Sequence, residues 1–253
     1  VKHSNYNVLS NTKLITTSVG NGKLPSSNVN KLVIDNEGAV WAGTDNGFCI
    51  FYSPYNALSG GSFDAVIPVV TADDGFNEAL LKGIVINDIA VDGGNRKWVA
   101  TFNAGVFLLS PDGYKILKNY TSKNSPLLND NVQSVAIDGS TGKVFFGTAS
   151  GIIAYRGDAT EATDDFGDVY AFPNPVKPDF NGTISIAGLA SSSEVKITDT
   201  AGRLIFQTTS NGGTAIWDGN TFDGKRAQTG VYLVFASNKD GSQKLATKIL
   251  FVN

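Results

Sequence analysis

Three stretches of the chain carry the same order of apolar runs, tight turns and small residues. Leu32-Val33-Ile34 is an apolar run ending at Asp35, a turn closes at Gly38, and the run from Ala39 to Thr44 holds one large aromatic, Trp41, followed by small residues. Asp45-Asn46-Gly47 is a hairpin signal, and a further apolar run, Phe48 to Tyr52, follows it. The order returns at Asn87-Asp-Ile-Ala-Val-Asp92, Trp98, Thr101 and Gly105, then at Val132-Gln-Ser-Val-Ala-Ile-Asp138, Gly142, Phe145, Gly147-Thr148 and Gly151. The aspartates are 57 and 46 residues apart. A repeat of that length, made of short strands and glycine turns, predicts one four-stranded propeller blade per copy.

Each copy carries local expectations. Leu32 to Ile34, apolar at successive positions, predicts a strand covered on both faces. Asp35, Asp92 and Asp138 are turn formers whose short side chains bond their own backbone, and Gly38 supplies a positive φ. Trp41, Trp98 and Phe145 share one blade position and read as core. The second copy adds a fourth strand, Lys115 to Tyr120, after the turn Ser110-Pro111-Asp112-Gly113; the first copy's fourth strand is expected over Ala65 to Val70, with Pro68 on an outer edge. Lys13 to Val19 reads as an outer strand of a blade whose inner strands lie upstream. After Ile152 to Tyr155 no fourth strand follows, and residues 158–168 hold five acids and no base, a linker composition. A ring needs at least about four blades, so residues 1–157 are expected to be part of a larger ring and the sequence the C-terminal part of a longer protein.

A second domain is expected over residues 169–253, opened by Val169-Tyr-Ala-Phe172-Pro173-Asn174-Pro175. Its prolines exclude helix and suit an edge. Strands are expected at 183–187, 195–199, 204–208, 215–218, 231–236 and 246–252, separated by turn signals such as Asp199-Thr-Ala-Gly202, Asp218-Gly219 and Asp240-Gly241. That cadence predicts an immunoglobulin-like β-sandwich without its disulfide. The fold class is therefore all-β: a partial β-propeller followed by a β-sandwich.

The run Val195-Lys-Ile-Thr-Asp-Thr-Ala-Gly202-Arg-Leu-Ile-Phe, with Ile216-Trp217-Asp218-Gly219, Asp223-Gly224 and Gly230-Val231-Tyr232, resembles the C-terminal sandwich of Bacteroidetes proteins exported by the type IX (Por) secretion system. It is also similar to the immunoglobulin-like domain of the flagellar hook-capping protein, and the Phe172-Pro-Asn-Pro175 lead-in strengthens the first comparison. The repeat, Asp-x-x-Gly-x-aromatic-x-Gly-Thr-x-x-Gly, resembles the two-component-regulator type of propeller repeat. It departs from that pattern at Ala100 and at Phe145, with one extra residue before Gly105 and one before Gly142. The two together resemble surface components of the type IX machinery. The resemblance implies an outer-membrane surface location, two seven-bladed propellers upstream, and a role in attaching cargo to lipopolysaccharide beside a sortase-like partner.

Composition changes this picture little. With 17% charged residues and a net charge of −3, the chain has no electrostatic footprint for nucleic acid or for an anionic membrane. No run of eighteen apolar residues occurs. Cys49 lies inside an apolar run and reads as a small core residue, His3 sits in a polar stretch, and no Cys/His spacing suits zinc. The acidic run lacks the alternation and glycine of a calcium loop, and the serines have no base to activate them. Trp217 reads as core. No cofactor, metal or catalytic residue is expected.

Three function classes remain. The first is a non-enzymatic scaffold of the secretion and surface-attachment machinery, with machinery proteins and lipopolysaccharide or an oligosaccharide as partners. The second is the extracytoplasmic oligosaccharide sensor of a hybrid two-component system. The third is a secreted cargo, an enzyme or a carbohydrate-binding protein, whose sandwich is an export tag. All three place the chain outside the inner membrane, at the outer-membrane surface or in the periplasm. Within the sandwich, Phe172, Pro173, Asn174 and Pro175 with Gly202 and Gly230 to Tyr232 are the candidate recognition residues, at an edge read by the translocon or paired with a partner strand; the alternative is that they simply define the sandwich fold.

Overall fold

The repeated runs fold into short antiparallel sheets. A computed structural model describes residues 12–59, 63–71, 77–163, 165–238, 241 and 243–252. His3 and the turn residue Asp240 lie outside the described residues, as does Asp164 of the acidic run. Two compact units form: Val1–Val91, Arg96–Ala136 and Phe145–Ala154 make the first, and Asp92–Asn95, Ile137–Val144 and Tyr155–Asn253 the second. Among the described residues no helix is long and apolar enough to cross a membrane.

The strands of the repeats are β1 (Asn21–Gly22), β2 (Val29–Ile34), β3 (Val40–Thr44), β4 (Gly47–Phe51), β5 (Phe63–Asp64), β6 (Val69–Thr71), β7 (Asn77–Ala79), β8 (Ile86–Val91), β9 (Lys97–Thr101), β10 (Val106–Leu109), β11 (Ile116–Tyr120), β12 (Val132–Asp138), β13 (Lys143–Thr148) and β14 (Gly151–Arg156). β2-β3-β4, β8-β9-β10-β11 and β12-β13-β14 are the three blades, each a meander of neighbouring strands. Between the first two, Trp41, Ile50, Ile86, Ile89, Val99 and Leu109 form one buried cluster. Trp98 packs against Phe146 of the third blade, ring centroids 5.6 Å apart.

Four local expectations are corrected. The first blade's fourth strand shrinks to a single bridge, in which Ile50 and Val66 exchange both main-chain hydrogen bonds at 2.8 Å. Pro68, two residues on, has no N–H to extend the ladder, and β6 instead pairs with β7. Lys13 to Val19 forms no strand: the chain bends after Thr16 and folds back, with Leu24 N donating to Thr16 O (3.1 Å), and the Asp64 carboxylate accepts from the N–H groups of Gly20 and Gly22. Leu32 and Ile34 are 61% and 69% exposed, so β2 is covered on one face only. Phe145 is 37% exposed, whereas Trp41 and Trp98 at the same blade position are buried.

The sandwich strands are β15 (Tyr170–Phe172), β16 (Ile184–Ala187), β17 (Glu194–Thr198), β18 (Leu204–Thr209), β19 (Thr214–Trp217), β20 (Gly230–Ser237) and β21 (Gln243–Phe251). They form two sheets, β15-β16-β19 and β18-β17-β20-β21. Alternate residues point inward, as in β16, where Ile184 and Ile186 are buried and Ser185 and Ala187 are less so. Trp217 is the largest side chain of the core, 5.4 Å from the Tyr232 ring and 5.5 Å from that of Phe251, and its indole N–H donates to Asn220 O at 2.7 Å. The acidic run is tied into this unit: Thr160 bridges to Gly212, and Thr163 to Ala190. Trp217→Ala removes the centre of this core and is expected to cost about 3–5 kcal/mol. Urea denaturation followed by circular dichroism measures it, and a loss below about 1 kcal/mol contradicts the assignment.

Candidate functional site

The motif positions of the blades are occupied by the fold itself. Asp35 Oδ1 accepts from the main-chain N–H of Glu37 (3.0 Å) and Ala39 (2.9 Å), closing the turn, while Oδ2 accepts from Trp41 Nε1 and Lys97 Nζ, both at 2.9 Å. Lys97 is fully buried, donates also to Pro111 O at 2.7 Å, and its ammonium lies 4.3 Å from the centre of the Trp41 ring. Burial pushes the Asp35 carboxyl up, but the bonds from Lys97 and Trp41 and the Lys97 charge outweigh it and hold the group below its ordinary range. Gly113, at φ +78°, leaves room for the Trp41 ring, which a Cβ there would strike. Asp138 meets its own turn differently, accepting from the hydroxyls of Ser140 and Thr141 at 2.6 Å, and these bonds bring its carboxyl down to about 2. In the second blade Asn95 takes the place of Gly38 and adopts φ 58°.

The stretch from threonine to glycine, one residue longer in the second blade, is a hairpin clasp in every blade. The hydroxyls of Thr44, Thr101 and Thr148 donate to the carbonyls of Gly47, Gly105 and Gly151 at 2.8, 2.7 and 2.9 Å, and each accepts a main-chain N–H from the turn. A second recurrence, five residues before each aspartate, is an amide side chain: Asn30, Asn87 and Gln133. Asn30 Nδ2 donates across to Ile86 O (3.0 Å) and Asn87 Nδ2 to Val132 O (2.8 Å), so each amide staples its blade to the next. These three amides, with Asn131 and the half-exposed ring of Phe102, line a hollow of about 370 Å³, and Asn30 also donates to the Asp45 carboxylate at 2.7 Å. Its trace in the sequence is the amide at a constant offset in the repeat.

In the sandwich the structure separates the residues of the expected recognition edge. Asn174 lies against β21, its side chain donating to Lys248 O (2.8 Å) and accepting from Leu250 N (2.9 Å). Val176 continues that pairing, so the edge beside Pro173 and Pro175 is already closed by the chain. Phe172 is exposed at the end of β15, in the other sheet. Gly230 and Tyr232 lie in β20, paired with Phe251 and Ile249 of β21. Tyr232 is buried, its hydroxyl donates to Gln228 O (2.9 Å), and burial pushes the phenol up. Gly202 sits at φ +82° in the turn that Asp199 closes. Tyr232 instead shares a groove of about 510 Å³ with Leu204, Phe222, Lys225 and Arg226, residues that the linear pattern did not group. Cys49 is buried, which pushes its thiol up to about 12, and no group of three or more His, Cys, Asp or Glu among the described residues could hold a metal ion.

Lys97→Met leaves the Asp35 carboxylate buried without its counter-ion and is expected to lower unfolding free energy by about 3–5 kcal/mol at neutral pH, measured by chemical denaturation. Because the native carboxyl titrates below its unfolded value, the pair's contribution is complete above the unfolded pKa and fades as pH falls through the lower native one. The gap between wild type and variant should therefore narrow on acidification, and a gap that widens contradicts the pair.

Comparison with known proteins agrees with both halves of the chain. Residues 170–251 match the family described as secretion system C-terminal sorting domain, and residues 23–46 match two component regulator propeller. Among solved structures, the chain is 35% identical to PorZ of Porphyromonas gingivalis, described as an essential bacterial surface component of the type-IX secretion system. The overlay has a TM-score of 0.62 and covers 89% of this chain and 30% of PorZ. The chain thus spans about 30% of the length of that relative. The extracellular domain of the one component system BT4673 of B. thetaiotaomicron is 14% identical over 89% of this chain and 30% of its own, with a TM-score of 0.34. Latent PorU of P. gingivalis is 21% identical over 44% of this chain and 12% of its own, with a TM-score of 0.27. No curated protein sequence matches. Over the length it spans, the chain is therefore similar to PorZ, with a two component regulator propeller match at residues 23–46 and a secretion system C-terminal sorting domain match at residues 170–251.

Proposed function

We propose that the protein is a non-enzymatic scaffold of the type IX secretion and surface-attachment machinery, held at the outer-membrane surface. The observation that carries this reading is the joining of a sorting-type sandwich to blades in the manner of PorZ. The blade chemistry is consistent with it, since the Asp, Trp, Thr and Gly positions of the repeat are spent on turns, clasps and packing. The blades would present rigid loops for docking, and residues 169–253 would serve as the module that the export machinery reads. The exposed apolar faces at Leu32 and Ile34 and at Phe145 and Ile152 would each receive a further blade. An oligosaccharide partner fits the amide-lined hollow best, because its acceptor oxygens suit hydroxyl donors and the Phe102 ring offers a face for stacking.

The sorting-domain match also favours a second reading, in which the chain is the end of a secreted cargo. Removal of residues 169–253, followed by surface labelling of intact cells, tests the recognition role. Surface protein should fall to background, and unchanged surface protein contradicts it. Mass spectrometry of the surface-bound protein separates the two readings: a scaffold keeps its sandwich, and a cargo loses it on export.

A further inference from the structure

Among the described residues, the larger sheet of the sandwich has one edge closed by the chain and one edge that no strand pairs. Along β21, Val176 N donates to Leu250 O (2.8 Å), Val252 N donates to Val176 O (2.9 Å), and the Asn174 amide fills the next step. β18, at the other end, pairs with β17 on one side and with no described strand on the other. Ser210 N donates to Ser193 O at 2.9 Å, next to the Thr209–Glu194 pair. The alternation of an antiparallel ladder then turns the main-chain groups of Gln207 and Thr209 outward. The strand reads Leu204-Ile-Phe-Gln-Thr-Thr209, without the charge or proline that usually guards an exposed edge.

At its Leu204 end lies the groove of about 510 Å³. Phe222 is 64% exposed at its wall, its ring 6.3 Å from that of Phe206. Arg203 and Lys225 are paired with Asp199 and Asp223 at 3.1 Å each. Arg226 donates to the carbonyls of Asp218 and Phe180, so among the described residues no carboxylate neutralises it. The groove therefore holds a surplus positive charge beside an exposed aromatic ring.

We propose that β18 is a docking edge for an extended segment of another protein, which pairs with Gln207 and Thr209 through its main chain, lays an apolar side chain on Phe222 and brings a carboxylate to Arg226. Main-chain pairing supplies affinity and the groove supplies selectivity. A second copy of this chain would bring the same uncharged strand and the same positive groove, leaving Arg226 unmet; an acidic segment meets it. This rests on the reading of the sandwich as the recognition module.

The probe is a synthetic heptapeptide of alternating Val and Thr ending in Asp, added to the full chain, with amide hydrogen exchange and fluorescence anisotropy as readouts. Slowed exchange at Gln207 and Thr209 is expected. Thr209→Pro removes one outward N–H and leaves the β17 ladder intact, and it should weaken binding by about tenfold or more. Phe222→Ala, a change at an exposed site, should do the same with an unchanged unfolding midpoint, as should Asn for the peptide's Asp. Protection confined to β21, no protection at any soluble peptide concentration, affinity unmoved by both variants, or β18 protection that rises with protein concentration alone would each overturn the proposal. In cells, Thr209→Pro exported at the wild-type level, where removal of 169–253 abolishes export, sinks the edge and spares the module. Export that survives the removal sinks the module itself.

Discussion

An ammonium and a carboxylate shut away from water hold the first two blades together. Burying either ion alone would cost several kcal/mol, so the Lys97–Asp35 pair persists only because every polar contact it needs is met. Asp35 receives four donors, and Lys97 reaches a carboxylate, a carbonyl and an aromatic face. Each of those contacts also sets something else. The two main-chain donors shape the turn before β3, the indole donor sets the plane of Trp41, and the Pro111 carbonyl ties in the turn between β10 and β11. The apolar cluster around Trp41 packs beside this ion pair, whose two charged groups each have a fixed place.

Much of the fold was legible because its signals are local. Strands of the sandwich fall within a residue or three of the alternating pattern, and Leu204–Thr209 opens where the pattern opens. What stayed hidden depends on neighbours far along the chain. Lys97 reads as a polar residue opening a strand, and nothing near it indicates a carboxylate 62 residues earlier. Phe145 occupies the motif position of two buried tryptophans, yet it is 37% exposed, because burial depends on what packs against a strand and not on its own sequence. The fourth strand of the first blade was expected from apolar residues around Pro68, where the missing N–H mattered more than hydropathy. The candidate groove escaped for the same reason: Leu204, Phe222 and Tyr232 come from three separate segments.

The Phe172-Pro-Asn-Pro175 stretch shows how a sequence signal can be read correctly as an edge and still mislead about its use. Prolines at alternate positions cannot donate to a neighbouring strand. The residues between and after them do the pairing: Asn174 with its side-chain amide, which offers a donor and an acceptor as a peptide unit would, and Val176 with its main chain. A segment poor in backbone donors thereby covers the end of β21. Among the described residues the sheet is left with one margin that no strand pairs, at β18.

The amide staple between blades has an asymmetry with a further consequence. The donor is a side chain, Asn30 or Asn87, but the acceptor is a main-chain carbonyl, at Ile86 or Val132. A carbonyl is present whatever residue occupies the position. Each blade thus carries its half of the joint in its own sequence and asks only for backbone from the blade that follows, while the threonine clasp closes entirely within one copy. A joint of this kind survives divergence of its acceptor side. Duplicated blades can drift apart at most positions and still dock, provided the amide, the aspartate turn and the clasp are kept.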